Sequence, residues 1–266
     1  MLPEINLFGL NIGTYGICTA VGLILMFVVA FILGRRYKIL FEDILFGEIT
    51  ALVGAFLGAH ILYGITNADK IYNSLTEFFS KQQDISRLWD IVNYYIGGMV
   101  FYGGLFGGLL FGVIYCKKRK INLENYSDCF APAIPLFHCF GRIGCFLSGC
   151  CYGIESEFGF TATHSTVMTC NYVNRFPVQL LESGVNLIIF FVMLLLFQKG
   201  ILRGRLIYVY LLTYGVARFI IEFFRDDTYR GIYFGLSTSQ WISIVVVIVS
   251  IIILIKKNKG GKYEKM

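Results

Sequence analysis

The sequence predicts an all-α polytopic integral membrane protein of about seven transmembrane helices, with its N-terminus outside and its C-terminus in the cytoplasm. Three observations carry that prediction. The 266 residues are 56% hydrophobic and 15% charged, with a mean hydropathy of +0.68, whereas a soluble domain is about 25% charged. Several apolar runs reach the roughly 20 residues that cross a bilayer as a helix. Basic residues crowd into alternate connections along the chain. The same composition excludes intrinsic disorder, and continuous apolar runs, without period-two alternation, speak against a β-barrel.

The expected spans run from Tyr15 to Gly34, Leu45 to Thr66, Ile96 to Cys116, Asp128 to Gly149, Val178 to Phe197, Leu206 to Phe224 and Ser237 to Ile255. Arg35, Arg36 and Lys38 follow the first, Lys117 to Lys120 the third, and Lys199, Arg203 and Arg205 the fifth. With the lysines after the last span, 15 of the 23 basic residues fall on one side. Six fall on the other (Lys70, Lys81, Arg87, Arg175, Arg225 and Arg230), and Arg142 and Arg218 lie inside spans. This asymmetry sets the orientation. It also accounts for the net charge of +6 without a nucleic-acid partner. The whole chain, residues 1–266, reads as a single transmembrane domain with external loops near 67–95 and 152–177. The first loop carries Lys81, Gln82, Gln83 and Trp89, the second His164. Met1 is followed by no basic segment, and Glu4 stands where one would be, so no cleavable signal peptide is expected.

Ionisable residues within spans cost about 2.5–3.5 kcal/mol each at the bilayer centre on insertion scales, and mark candidate sites. They are Glu48, His60, Asp128, His138, Arg142, Glu182, Arg218 and Glu222. Arg142 is flanked by Gly141 and Gly144, and a guanidinium binds phosphate as a two-pronged fork. Arg218, Glu222 and Arg225 stand at i, i+4 and i+7, which is one helix face. That face is either an internal salt bridge with a snorkelling Arg or an anion-binding surface near the outer leaflet. Gln179 and Glu182 share a face after Pro177, which suits a helix start. Gly97, Gly98, Gly103, Gly104, Gly107 and Gly108 serve either close helix packing or room for a lipid head group. Cys139, Cys145, Cys150 and Cys151 cluster around the fourth span. No CxxC pair or spaced His set accompanies them, so no metal and no organic cofactor is expected. They read as small packing residues, with Cys151 and Cys170 a candidate disulfide and a reactive thiol a lesser option.

These motifs, in this order and topology, resemble the bacterial prolipoprotein diacylglyceryl transferase family. The resemblance runs from Tyr15-Gly16 through Gly97 to Leu105, Gly141 to Gly149 with Tyr152-Gly153, Arg175 to Glu182, and Arg218 to Arg225, closing on Gly235 to Ser237 with Gln240. It implies a multi-pass enzyme of the bacterial cytoplasmic membrane. Its substrates would be phosphatidylglycerol and a prolipoprotein signal peptide with a lipobox Cys. The diacylglyceryl group passes to that thiol, a thioether forms, and glycerol 1-phosphate leaves. By the same resemblance Tyr102, Arg142, Arg218 and Glu222 are expected to be catalytic. Arg142, Arg225, Tyr15, Gln179, Glu182 and Gly153 are expected to bind substrate. The family usually carries His where this chain has Tyr102, Asn where it has Cys145, Glu near Cys150, and His where it has Phe176. Two other readings stay open at this point: a divergent relative using the same lipid with another acceptor, and a non-catalytic lipid-binding membrane protein.

Overall fold

The computed structural model describes residues 1–7, 9–80, 89, 98–165, 167–226 and 232–263. Lys81, Gln82, Gln83, Arg87, Ile96, Gly97 and Arg230, named above, lie outside the described residues, as does Lys265, the last of the lysines after the final span. The chain forms two compact units, Ile39–Leu123 and the combination of Met1–Lys38 with Glu124–Met266. Among the described residues, 6 helices are long and apolar enough to cross a membrane. They carry large exposed apolar side chains, such as Ile24 at 62%, Phe56 at 59% and Ile188 at 65% exposure, as lipid-facing surfaces do.

The unit Ile39–Leu123 holds α1 (Phe41–Thr66), α2 (Ala68–Ser80) and α3 (Phe101–Lys118). The third expected span, Ile96 to Cys116, overlaps α3, which starts only at Phe101 and is not one of the 6, since its glycines and the closing Lys117 and Lys118 dilute the apolar run. Acidic Glu42 and Asp43 open α1 and the two lysines close α3, each suiting the dipole of its helix end. α1 and α3 pack closely along a glycine seam. A Cβ at Gly54 would stand 2.6 Å from the Gly107 carbonyl oxygen, and one at Gly103 would stand 2.7 Å from the Leu62 Cβ. Gly98 lies under the Tyr63 ring. Gly54, Gly103 and Gly107 therefore serve backbone approach between helices, the close-packing reading of the two given above. Asp43 accepts from Arg119 Nε at 2.8 Å and from the Tyr115 hydroxyl at 3.3 Å. Glu48 is buried on α1. Tyr102 stands in the first turn of α3 and is half-buried.

The other unit begins with a hairpin of β1 (Glu4–Leu7) and β2 (Leu10–Gly13), paired antiparallel with Ile5 opposite Ile12. It leads into α4 (Thr14–Gly34), whose Thr14 amide donates to the Pro3 carbonyl at 2.9 Å. α5 (Leu123–Ser148) crosses α4 at two glycines. A Cβ on Gly22 would meet Phe137 at 3.2 Å, and one on Gly144 would meet Cys18 at 3.1 Å and Tyr15 at 3.2 Å. α6 (Val178–Lys199) starts directly after Pro177 and ends on Gly200 at φ +68°, the left-handed helix stop that glycine suits. α7 (Leu206–Ile221) lies against both α6 and α8 (Thr238–Tyr263).

Asp128 illustrates how an intramembrane acid is used for structure. It is fully buried, and its carboxylate accepts the backbone amides of Gly204 and, at 3.0 Å, Leu206. It thus satisfies donors at the start of α7 that have no intrahelical partner. His138 is likewise satisfied, its Nδ1 3.0 Å from the Tyr210 hydroxyl and its ring against Tyr214. In the other unit, the His60 Nδ1 lies 2.8 Å from the Phe56 carbonyl, one turn away on the same helix.

The loop 152–177 forms a second small sheet, β3 (Glu155–Thr161) with β4 (Asn174–Arg175). A third pairs β5 (Ile232–Tyr233) with β6 (Leu236–Ser237). His164 is exposed. None of the eight cysteines is disulfide-bonded, so the candidate Cys151–Cys170 disulfide is not formed. Cys170 packs instead with Tyr152 and Ala162, and burial pushes its thiol pKa up.

The seam gives a direct test. Gly54→Ala should lower stability by about 1–3 kcal/mol, the usual cost of overpacking. Gly112→Ala, with nothing within 4 Å of its added Cβ, should be neutral or slightly stabilising. Thermal unfolding in detergent distinguishes the two. Asp128→Ala should cost about 1–2 kcal/mol by the same measurement, as losing a helix cap does.

Candidate active site

The site is built around one carboxylate. Glu182 sits in the second turn of α6 and is 1% exposed. Arg142 of α5 brings Nη2 to 3.0 Å from its Oε1. The Tyr214 hydroxyl donates to the same oxygen at 3.1 Å. Arg218 of α7 and Arg225 approach Oε2 with their Nη1 atoms at 3.7 Å and 3.9 Å. A second carboxylate, Glu222, joins the group. Its Oε2 is 2.5 Å from Arg218 Nη2 and 3.7 Å from Arg225 Nε. The Ser237 hydroxyl donates to Glu222 Oε1 at 2.7 Å.

Local geometry explains how these side chains meet. Tyr214, Arg218 and Glu222 recur every four residues, so they share a face. The helix ends at Ile221 and continues as a tight 3-10 turn, Glu222–Phe224. Arg225 is then extended, yet still reaches the cluster. What holds it there is the 152–177 loop. Gly153 bridges to Arg225 through the backbone, and the Ile154 amide donates to the Phe224 carbonyl at 3.1 Å. A Cβ on Gly153 would fall 2.9 Å from that carbonyl oxygen, so the close pairing requires glycine. Arg175 locks the neighbouring turn, donating to Asp226 at 2.7 Å and to the Gly153 carbonyl at 3.1 Å while lying over the Tyr152 ring. Gln240 accepts from the Ser237 amide at 2.9 Å, and Ser237 Oγ accepts in turn from the Gln240 amide at 3.2 Å. Together these bonds fix the hydroxyl that meets Glu222.

Three guanidiniums face two carboxylates, a formal charge of +1 in a buried setting. Burying charges is costly unless they are paired and hydrogen-bonded, and the surplus favours an anion. Arg142 is the accessible member, with 21% of its side chain exposed against 10% for Arg218 and 2% for Arg225. Gly141 beside it has nothing within 4 Å of an added Cβ, whereas Gly144 is used against α4. Arg218 Nη1 has no hydrogen-bond partner among the described residues. Fixed guanidinium donors of this kind can hold a phosphate and stabilise charge as it leaves.

Of the residues expected from sequence, Arg142, Glu182, Arg218, Glu222 and Arg225 meet in this cluster. Gly153 supports it through backbone. Gln179 is buried on the same face of α6 and donates to the Cys150 carbonyl at 2.8 Å. Tyr15 lies over Gly144 at the start of α4 and is half-exposed. Tyr102 belongs to the other unit. Sequence reading missed Tyr214 and Ser239, whose hydroxyl takes a bond from Arg218 Nη2 at 3.3 Å. The i−4 spacing of Tyr214 from Arg218 was the available signal; Ser239 had none. It also missed the meeting of Cys145, Cys150 and Cys151, whose Sγ atoms lie within 4.8 Å of one another. Hydrogen bonds from Cys145 and Cys150, followed by the Arg225 and Arg142 guanidiniums, lower the Cys151 thiol pKa.

Glu182→Gln should destabilise the protein by about 3–5 kcal/mol, because three buried guanidiniums lose their shared counter-charge. Tyr214→Phe, which removes one hydrogen bond to a charged group, should cost only about 1.5–3 kcal/mol. Unfolding midpoints of the two variants in the same detergent check the order.

The family described as prolipoprotein diacylglyceryl transferase matches residues 4–256. A phosphatidylglycerol–prolipoprotein diacylglyceryl transferase of Clostridium tetani is 34% identical over 253 residues, covering 93% of this chain and 94% of the relative. Transferase 2 of the same description from Clostridium perfringens is 34% identical over 265 residues, covering 97% and 96%. A Streptococcus pneumoniae relative so named is 32% identical, covering 96% and 93%. With its charged cluster built from the motifs that suggested it, the chain belongs to the prolipoprotein diacylglyceryl transferase family.

Proposed function

We propose that this protein transfers a diacylglyceryl group from phosphatidylglycerol to the lipobox cysteine of a prolipoprotein. The supporting observation is the buried cluster of three arginines and two glutamates with one surplus positive charge. In the reaction the acceptor thiol loses its proton, and the thiolate is the nucleophile. Its sulfur forms a bond to the glyceryl carbon as the bond from that carbon to the phosphate oxygen breaks. Glycerol 1-phosphate leaves with the electron pair.

In this reading Arg142 holds the lipid phosphate in a two-pronged grip, and Arg218 donates through Nη1. Glu222 keeps Arg218 and Arg225 in place. Glu182 spaces the three guanidiniums, and Tyr15, Gln179 and Gly153 shape the lipid site around them. Tyr102 orients the acceptor thiol or takes its proton. An unperturbed phenol has a pKa of about 10 and is a weak base near neutrality, so orientation is the larger part of its role. The protein acts as a single multi-pass domain of the bacterial cytoplasmic membrane. The reading of seven spans is supported by the apolar runs, and that of an external N-terminus and a cytoplasmic C-terminus by the distribution of basic residues.

The test is a mass-spectrometric transfer assay in phosphatidylglycerol-containing membrane with a lipobox peptide. A diacylglyceryl adduct is expected on the Cys peptide and on neither its Cys→Ser counterpart nor with Arg142→Ala protein. Absence of the adduct from folded, lipid-binding protein overturns the reading. Arg142→Lys should lower turnover by roughly 10²-fold, the scale of removing one fixed donor to a departing anion, because a point charge does not replace the fork. Tyr102→Phe should slow turnover while lipid binding persists, and Tyr102→His should preserve or raise the rate.

A further inference from the structure

The turn that follows α5 folds back on the helix end. Gly149 and Cys151 both take left-handed backbone conformations, at φ +75° and +57°. The Cys150 amide donates to the Cys145 carbonyl at 3.1 Å, and Gln179 holds the Cys150 carbonyl from α6 at 2.8 Å. Cys151 is not a residue that prefers this conformation, and the fold maintains it there. The result is that three thiols from one seven-residue stretch converge.

Other cysteines of the chain are occupied differently. Cys139 shares a hydrogen bond with the Ser183 hydroxyl at 3.1 Å, and Cys129 points to the Asn125 carbonyl at 3.2 Å. The three converging thiols instead face one another, all within 4.8 Å. Thiolates bound to one zinc at about 2.3 Å stand roughly 4 Å apart, so sharing an ion asks for a closure of less than about 1 Å. Charge also fits. A divalent ion with three thiolates carries a net negative charge, and the buried arginine cluster beside the turn carries a formal surplus of +1.

We propose that Cys145, Cys150 and Cys151 form a three-thiolate site for a soft divalent cation of the zinc class. Binding forms three sulfur–metal bonds and releases the three thiol protons to solvent. No fourth His, Cys, Asp or Glu joins the group among the described residues, so the fourth position takes an exchangeable ligand, as in open zinc sites. The thiols adjoin the residues of the lipid-transfer reading through Gln179, but the proposal does not depend on that reading.

The experiment uses the full chain in detergent, reduced with a phosphine and freed of metal by a chelator. Cadmium alone is titrated in, and the ultraviolet sulfur-to-cadmium charge-transfer band is followed. The expected result is saturation at a single equivalent with proton release, and displacement by zinc. Cys145→Ser, Cys150→Ser and Cys151→Ser should each weaken binding by at least about tenfold, a loss that even outer-shell changes reach. Cys18→Ser and Cys170→Ser should leave it unchanged. Mass-mapped alkylation of the unmutated protein supplies a readout independent of variant folding: cadmium should protect these three thiols. No band in the folded protein, a band that survives all three substitutions, or protection confined to other cysteines overturns the proposal.

Discussion

The sharing of Glu182 by three guanidiniums is the constraint to which the unit containing α4 to α8 is fitted. A lone buried carboxylate would not remain charged in so dry a setting, and three buried arginines would repel one another. Each tolerates burial because of the others. Satisfying them requires α5, α6 and α7 to arrive in one register, since Arg142, Glu182 and Arg218 come from three different helices. Arg225 comes from beyond the end of α7 and depends on a loop for its position. The bonds of Arg175 to Asp226 and of Ile154 to Phe224 are therefore part of the site, although neither contacts Glu182.

Glycine does two separate jobs in the chain. In the α1–α3 unit, Gly54, Gly58, Gly103 and Gly107 let two backbones touch where any side chain would wedge them apart. In the other unit, Gly153 admits a backbone bridge beside an arginine, while Gly141 leaves space next to Arg142. Only the second use bears on the site. Gly149 adds a third geometry, a positive φ that turns the chain so that Cys150 and Cys151 return to Cys145. The turn thus brings soft thiols close to hard cationic groups within a few residues of Arg142.

Intramembrane ionisable residues divided along physical lines. Arg142, Glu182, Arg218 and Glu222 find one another, and Arg142 stays partly accessible. Asp128 finds backbone amides at a helix start, and His138 finds a tyrosine hydroxyl. All were equally conspicuous in the sequence, because each is expensive in lipid for the same reason. What separates site from scaffold is whether the partner saturates the group. Asp128 is saturated by the backbone, whereas Arg218 retains an Nη1 without a hydrogen-bond partner among the described residues. That distinction is a matter of three-dimensional neighbours.

The sequence by itself determined the 6 membrane-length helices, their approximate limits and the residues able to do chemistry, but not α2, which occupies part of the expected loop near 67–95. Hydropathy and charge act locally and add along the chain, so apolar runs, the Pro177 start and the Gly200 stop are legible one segment at a time. The shared face of Arg218 and Glu222 was legible for the same reason, since helical spacing is local, whereas Arg225, expected on that face, lies in extended backbone beyond the helix end. Tertiary structure decided which groups from different helices meet. It joined Arg142 to Glu182 across 40 residues of sequence, used the glycines of α1 and α3 for packing, and kept Cys151 away from a disulfide with Cys170 while bringing it to Cys145 and Cys150. Such meetings depend on crossing positions and loop closure, which are set by the packing of all the helices in a unit and by no single stretch of residues.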